Sequence, residues 1–201
     1  MKLIELESVR STNDYVKENA GSLVSPSMVV ARAQTAGRGQ RGNSWESEPG
    51  ANLTFSVFVR LHGFPARRQF AVSEAVALAV ADTLGAFGVE AKVKWPNDIY
   101  VGDRKICGIL IEHSLMGAEL MHTIAGAGVN VNQKRFLSPA PNPVSMWQLL
   151  GRETQLAAVR DEMVRRLESA FSRIADEEGR QRVHKEFSGR LWRGDGKAYP
   201  F

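Results

Sequence analysis

Apolar and polar residues alternate through "KLIELESV" (Lys2 to Val9), the period-two pattern of a strand with one face in a core. "STNDYVKENA" follows, with Ser11, Thr12 and Asn13 as cap-forming residues ahead of a helix that closes near Gly21. The apolar run "MVVARAQT" (Met28 to Thr35) predicts a strand, and "NLTFSVFVRL" (Asn52 to Leu61) predicts another that pairs beside it. Between them lies "TAGRGQRGNSW", too glycine-rich and too charged for a tight turn. From Gln69 to Phe87 the chain is rich in Ala and Val at helical spacing, which predicts a core-facing helix. A short strand then runs into "KWPND", two strands turn at "VGDR", and "ELMHTIAGAGVNVN" (Glu119 to Asn132) predicts one more. After "PAPNPVSMW" the period changes. Thr154 to Glu178 reads as one amphipathic helix, and a second runs from about Arg180 to Arg190.

Strands followed by a helical tail, with helices among antiparallel hairpins, predict one α+β domain. Its sheet is mixed and mostly antiparallel, with helices packed on one face. The chain's 201 residues suffice for one sizeable core, and 43% apolar with 24% charged residues describes a folded globular protein. A net charge of +4 permits an anionic partner without requiring one. One cysteine, Cys107, excludes an intramolecular disulfide and suits a reducing compartment. With no apolar signal core and no long apolar segment, the expected location is the cytoplasm, with no membrane association.

Four clusters could carry chemistry. Gly37, Gly39 and Gly42 let backbone N–H groups approach an anion, and Arg38 and Arg41 add charge to the same loop. The loop lacks the Gly-Lys-Ser/Thr ending of a P-loop, and a mobile hairpin with solvated arginines is the plain alternative. In "KWPNDIY", Pro96 forces Trp95 into extended geometry and so fixes Lys94 at a strand end, where it can neutralise a phosphate or carboxylate. Asn97 and Asp98 can turn the chain or help hold a divalent cation through water. Gly108, inside the strand "RKICGILIE", marks a close approach of ligand or backbone, or else a bulge. In "GAGVNVN", Gly126 and Gly128 end an apolar strand, and Asn130 and Asn132 after them can read a base or ribose, or make a turn. Cys107 reads as a core residue, and the four histidines show no metal-ligand spacing.

Taken in order, "STN", "AQTAGRGQRGNSW", "GANLTFS", "KWPND", "RKICGILIE" and "GVNVN" resemble the catalytic domain of biotin–protein ligases, a class II synthetase-like fold, over about residues 3 to 190. The resemblance implies ATP-dependent formation of biotinyl-5′-adenylate with Mg2+. The biotinyl group then passes to a lysine of a biotin carboxyl carrier protein of an enzyme such as acetyl-CoA carboxylase. It implies Lys94 and Arg38 as catalytic residues. Biotin would be held by Ser11, Thr12, Asn13, Gln34, Gly37, Arg38, Gly39, Gln40, Lys94, Gly108, Ile109 and Leu110. The nucleotide would lie against Arg38, Arg41, Trp45, Lys94, Asn97 and Asn130, with Asp98 the candidate metal contact. Gln40 and Asn43 stand where many relatives carry basic residues, which gives Arg41 a larger share of the pyrophosphate.

The chain begins at the first strand of such a domain, so no helix-turn-helix and no DNA partner are expected. Residues 191–201 read as the start of a further C-terminal domain. Relatives often self-associate through the sheet edge, which leaves room for a homodimer. Two other readings stand beside this one. A lipoate–protein ligase shares the fold but is expected to carry a different Arg-Gly-Gly-type motif. A nucleic-acid-binding protein is expected to cluster its basic residues, which here are scattered among acids.

Overall fold

The alternating segments form the strands β1 (Lys2–Val9), β2 (Ser27–Gln34), β3 (Leu53–Val59), β4 (Lys92–Lys94), β5 (Asp98–Val101), β6 (Arg104–Met116) and β7 (Glu119–Val129). A computed structural model of the chain describes residues 1–138, 142–194 and 196–197, and the backbone alone of Arg41. The strands make one seven-stranded sheet in the order β1-β2-β3-β7-β6-β5-β4. Only β1 and β2 run parallel; every other neighbouring pair is antiparallel. A parallel pair needs a crossover, and α1 (Thr12–Asn19) supplies it.

The sheet has a core on each face. On one side α2 (Phe70–Ala86), α4 (Leu156–Arg173) and α5 (Glu177–Gly189) cover Met28, Phe55, Val57 and Ala125. On the other side α1 buries Val16 against Val29, Phe58 and Ile124, the alternate positions of the same strands. One helix thus lies opposite the others, which the expectation of a single helical face did not include. The cause is the parallel β1–β2 crossover: it must traverse one face, and the later helices occupy the other. Helix α2 is apolar all round because the sheet and two helices enclose it. Its buried Glu74 is met by Nδ1 of His184 at 2.6 Å.

Two features depart from the sequence pattern. The region expected to be one helix from Thr154 to Glu178 breaks at residues 174–176. Asp176 caps α5 there by accepting the Gly179 N–H at 2.7 Å. The amphipathic period runs straight through this break and hides it. Helix α3 (Met146–Leu150) was also unforeseen, although its Ser145–Gln148 capping box and left-handed Gly151 (φ 68°) are written in the sequence. Leu191 and Trp192, read as leading into a further domain, run back along β4. Leu191 bridges to Val93, and the Trp192 N–H donates to its carbonyl at 2.7 Å. Residues 195 and 198–201, the rest of that expectation, lie outside the described residues.

The α4–α5 junction makes a testable point. A Cβ at Gly179 would stand 1.8 Å from the Arg173 carbonyl oxygen, a backbone atom with nowhere to retreat. Gly179→Ala is expected to lower unfolding free energy by about 3 kcal/mol, the upper range for overpacking. An unchanged urea midpoint would show that the junction is slack.

Candidate functional site

The site lies where β1 and β2 end and α1 begins, the crevice at the carboxyl ends of parallel strands. Ser11 occupies the N-cap position of α1, yet its side chain makes no capping hydrogen bond. Thr12 and Asn13 turn inward and are buried. The Thr12 N–H donates to Gln34 Oε1 at 2.8 Å, the Ser56 hydroxyl lies 2.7 Å from that of Thr12, and it donates to Asn13 Oδ1 at 2.5 Å. Residues expected as caps are therefore spent on lining a pocket.

The glycine-arginine loop folds back on itself. Trp45 N–H donates to the Gly37 carbonyl at 2.9 Å, Gly39 N–H donates to the Asn43 carbonyl at 2.7 Å, and Arg38 bridges to Ser44. This fold carries the Trp45 indole onto the sheet. Beneath it lie Gly108 and Gly128, direct partners on β6 and β7; a Cβ at Gly128 would come within 2.2 Å of the indole nitrogen. Two residues along β7, a Cβ at Gly126 would come within 2.1 Å of Asn13 Oδ1. The glycines "GAG" thus make a bare floor on which Asn13 and Trp45 rest side by side. The far end of the loop is anchored by Glu46, which accepts N–H bonds from Leu137 and Ser138 and from the Gln133 amide. Burial works against the charge on Glu46, but these bonds outweigh it and hold its pKa below the ordinary value.

Charges converge on the same floor. Arg38 pairs with Asp14 at 2.6 Å and with Glu112 at 3.3 Å; the hydrogen bond to Asp14 does most to hold its pKa above the ordinary value. Lys105 Nζ stands 2.7 Å from Asp98 Oδ1 and 5.6 Å from the centre of the Trp45 ring. The Lys105–Asp98 contact is charge against charge, because Oδ1 of Asp98 is buried without a hydrogen-bond partner. Lys94 donates to the Tyr100 hydroxyl at 3.2 Å and lies over the Tyr100 and Trp192 rings.

Two adjoining cavities result. The smaller, about 50 Å³, is lined by Ser11, Thr12, Asn13, Gln34, Arg38, Gly39 and Gln40, and by β6 at Gly108, Ile109 and Leu110. The Ile109 side chain points the other way, into the helical core. Asn97, expected beside the nucleotide, lines this smaller cavity and is tied to Ile109 by hydrogen bonds in both directions. The larger cavity, about 400 Å³, is lined by Lys94, Asp98, Tyr100, Asn130 and Phe136. Lys94, expected at both ligands, is thus placed on the larger side alone. Gly37 stands behind the lining, where a Cβ would meet the Trp45 carbonyl at 2.6 Å. The Arg41 side chain lies outside the described atoms.

Trp45 and Lys105 line both cavities. The sequence reading had Trp45 but passed over Lys105; its signal was the lysine three residues before Gly108 in "KICG". Asp14, Ser56 and Glu112 were missed as well, while Gly126 and Gly128 were singled out in "GAGVNVN" without a role in the site. Among the described residues, no three His, Cys, Asp or Glu side chains gather to hold a metal. Cys107 is fully buried, and burial pushes its thiol pKa well up, so it is a core residue. No helix among the described residues is long and apolar enough to cross a membrane.

Residues 5–130 match the profile of the Biotin/lipoate A/B protein ligase family. The chain belongs to that family. It is 39% identical over 131 residues to the bifunctional ligase/repressor BirA of Escherichia coli, covering 65% of this chain and 40% of that protein. It is 38% identical over 124 residues to the biotin–[acetyl-CoA-carboxylase] ligase of Paracoccus denitrificans, covering 60% of this chain and 51% of the relative. The chain thus spans about two fifths to half the length of these relatives. The fold is similar to biotin protein ligase from Aquifex aeolicus in complex with biotin and ATP. There the TM-score is 0.81 at 25% identity, covering 94% of this chain and 78% of that one.

Proposed function

We propose that the chain joins biotin to AMP and passes the biotinyl group to a lysine of a biotin carboxyl carrier protein. The observation that carries this reading is the shared wall: one ammonium, Lys105, lines a cavity with a polar floor and also its larger neighbour. The smaller cavity takes biotin, its urea ring among Ser11, Thr12, Asn13 and Gln34. The larger cavity takes ATP, and the buried, unpartnered Oδ1 of Asn130 offers an acceptor there for a ribose hydroxyl or the base. A biotin carboxylate oxygen attacks the α-phosphorus, and the bond to pyrophosphate breaks. The carrier lysine amine, after losing a proton, then attacks the acyl carbon and AMP leaves.

Bringing a carboxylate against a phosphate sets two anions together, so positive charge fixed at their meeting point lowers the barrier. Lys105 stands there, Arg38 faces the acid from the loop, and Lys94 neutralises the phosphate side. Trp45 and the folded loop keep water from the reactive anhydride. Asp98 offers a single carboxylate that already faces the Lys105 ammonium. Among the described residues no second carboxylate joins it to cage magnesium, so a bound ion would take Asp98 and the ATP phosphates as its ligands. The buried thiol and the absence of a spanning helix among the described residues support work in the cytoplasm.

The test is calorimetry with biotin and with lipoate, followed by pyrophosphate release in the presence of ATP. Biotin binding with biotin-dependent release is expected. Preference for lipoate, or release that ignores biotin, defeats the reading.

A further inference from the structure

Glu112 lies on β6, outside the residues expected to touch biotin, yet its carboxylate reaches into the site in two directions. One oxygen accepts from Asn13 Nδ2 at 2.8 Å, and the other pairs with Arg38 at 3.3 Å. The Leu110 carbonyl meets the same Nδ2 at 3.3 Å. An ionised carboxylate and a carbonyl can only accept, so the Asn13 amide has one permitted orientation: nitrogen towards β6, oxygen towards Ser56. The Ser56 hydroxyl donates to Asn13 Oδ1 at 2.5 Å and lies 2.7 Å from the Thr12 hydroxyl, which itself stands 3.2 Å from Gln34 Oε1. The Thr12 backbone N–H holds Gln34 by its oxygen at 2.8 Å whatever that row does, leaving the Gln34 nitrogen as the donor end. Asn13, Ser56 and Thr12 are all buried, so water cannot correct a reversed partner.

We propose that Glu112 is a positioning residue that fixes the polarity of this row, and with it the pocket's preference for a ring bearing N–H groups. Fixed by Glu112, Asn13 presents an acceptor to the floor above Gly126. A cyclic urea supplies the matching N–H donor, whereas a dithiolane or a plain acyl chain has none to give. Glu112 touches no ligand; it acts through Asn13. The inference rests on the reading of the smaller cavity as the biotin pocket.

Glu112→Gln keeps size and shape but adds a donor, so the Asn13 amide can reverse and turn its nitrogen to the ligand. Arg38 keeps its shorter bond to Asp14. The variant is expected to bind biotin about 10- to 100-fold more weakly by calorimetry, the scale of an unmatched buried polar group. Desthiobiotin, which keeps the urea ring, should lose the same factor. The KM for ATP and kcat at saturating biotin should stay within about twofold, a split that general loosening of the fold would not give. Ser56→Ala cuts the row at its middle and should raise the KM for biotin with the same split, should Glu112→Gln fold poorly. If wild type binds biotin and Glu112→Gln binds it within threefold, the inference is overturned while the pocket reading stands. Equal losses for biotin and ATP also overturn it. A wild-type chain that binds no biotin overturns both.

Discussion

Lys105→Ala is expected to slow biotin-dependent pyrophosphate release by roughly 10²–10³-fold, the cost of removing one fixed charge from a developing anionic centre. The same change at Lys94 is expected to act mainly on the KM for ATP. The difference follows from geometry. Lys105 lines both cavities, whereas Lys94 lines only the larger one and is held off by Tyr100 at 3.2 Å. Lys105→Ala should fold, because its side chain is a quarter exposed and its partner Asp98 remains beside an open cavity. Steady-state release measured over biotin and ATP concentrations decides the matter. A larger kcat loss in Lys94→Ala than in Lys105→Ala would return the central role to Lys94.

Gly128→Ala is expected to cut kcat/KM for biotin by about 10- to 100-fold, because the new methyl group stands where the Trp45 indole rests. The displaced ring would be 2.2 to 2.8 Å from the added carbon at three of its atoms, so it must lift away and take the loop with it. Trp45→Ala should be damaging too, and the pair should be strongly non-additive. Once the indole is gone, the extra methyl has little left to displace. A double variant whose losses simply multiply would mean that the bare floor matters to the ligand and not to Trp45.

Much of the fold was open to reading because strands and helices announce themselves by local period. The strands β1, β2, β3 and β7 fall within or against the alternating or apolar segments, and β4, β5 and β6 flank the turns at "KWPND" and "VGDR". The break at Asp176 was hidden because a cap is a single residue inside an unbroken apolar stripe. The site was legible where the chain departs from local need, as in the glycines of a strand or a charged loop too long for a turn. It was illegible where function depends on pairing across the sheet. Asn13 and Glu112 are 99 residues apart, and Arg38 and Glu112 are 74 apart. Glu112 ends the segment "RKICGILIE", but its place in the strand alternation is that of an ordinary solvent-facing residue. Lys94 drew attention by standing at a strand end two residues before a proline, while Lys105 looked like one of two cations at a hairpin. The β5–β6 register sets Lys105 opposite Tyr100, with its ammonium leaning to Asp98 and on towards Trp45.

The small-cavity lining begins at Ser11 and is not complete until Gly128 has paired with β3 and β6. During synthesis, therefore, the small cavity cannot form until the chain as far as Gly128 has left the ribosome. A ligand of that cavity cannot guide the early stages of folding; it can only reward the finished sheet, by shifting the final equilibrium towards the native state.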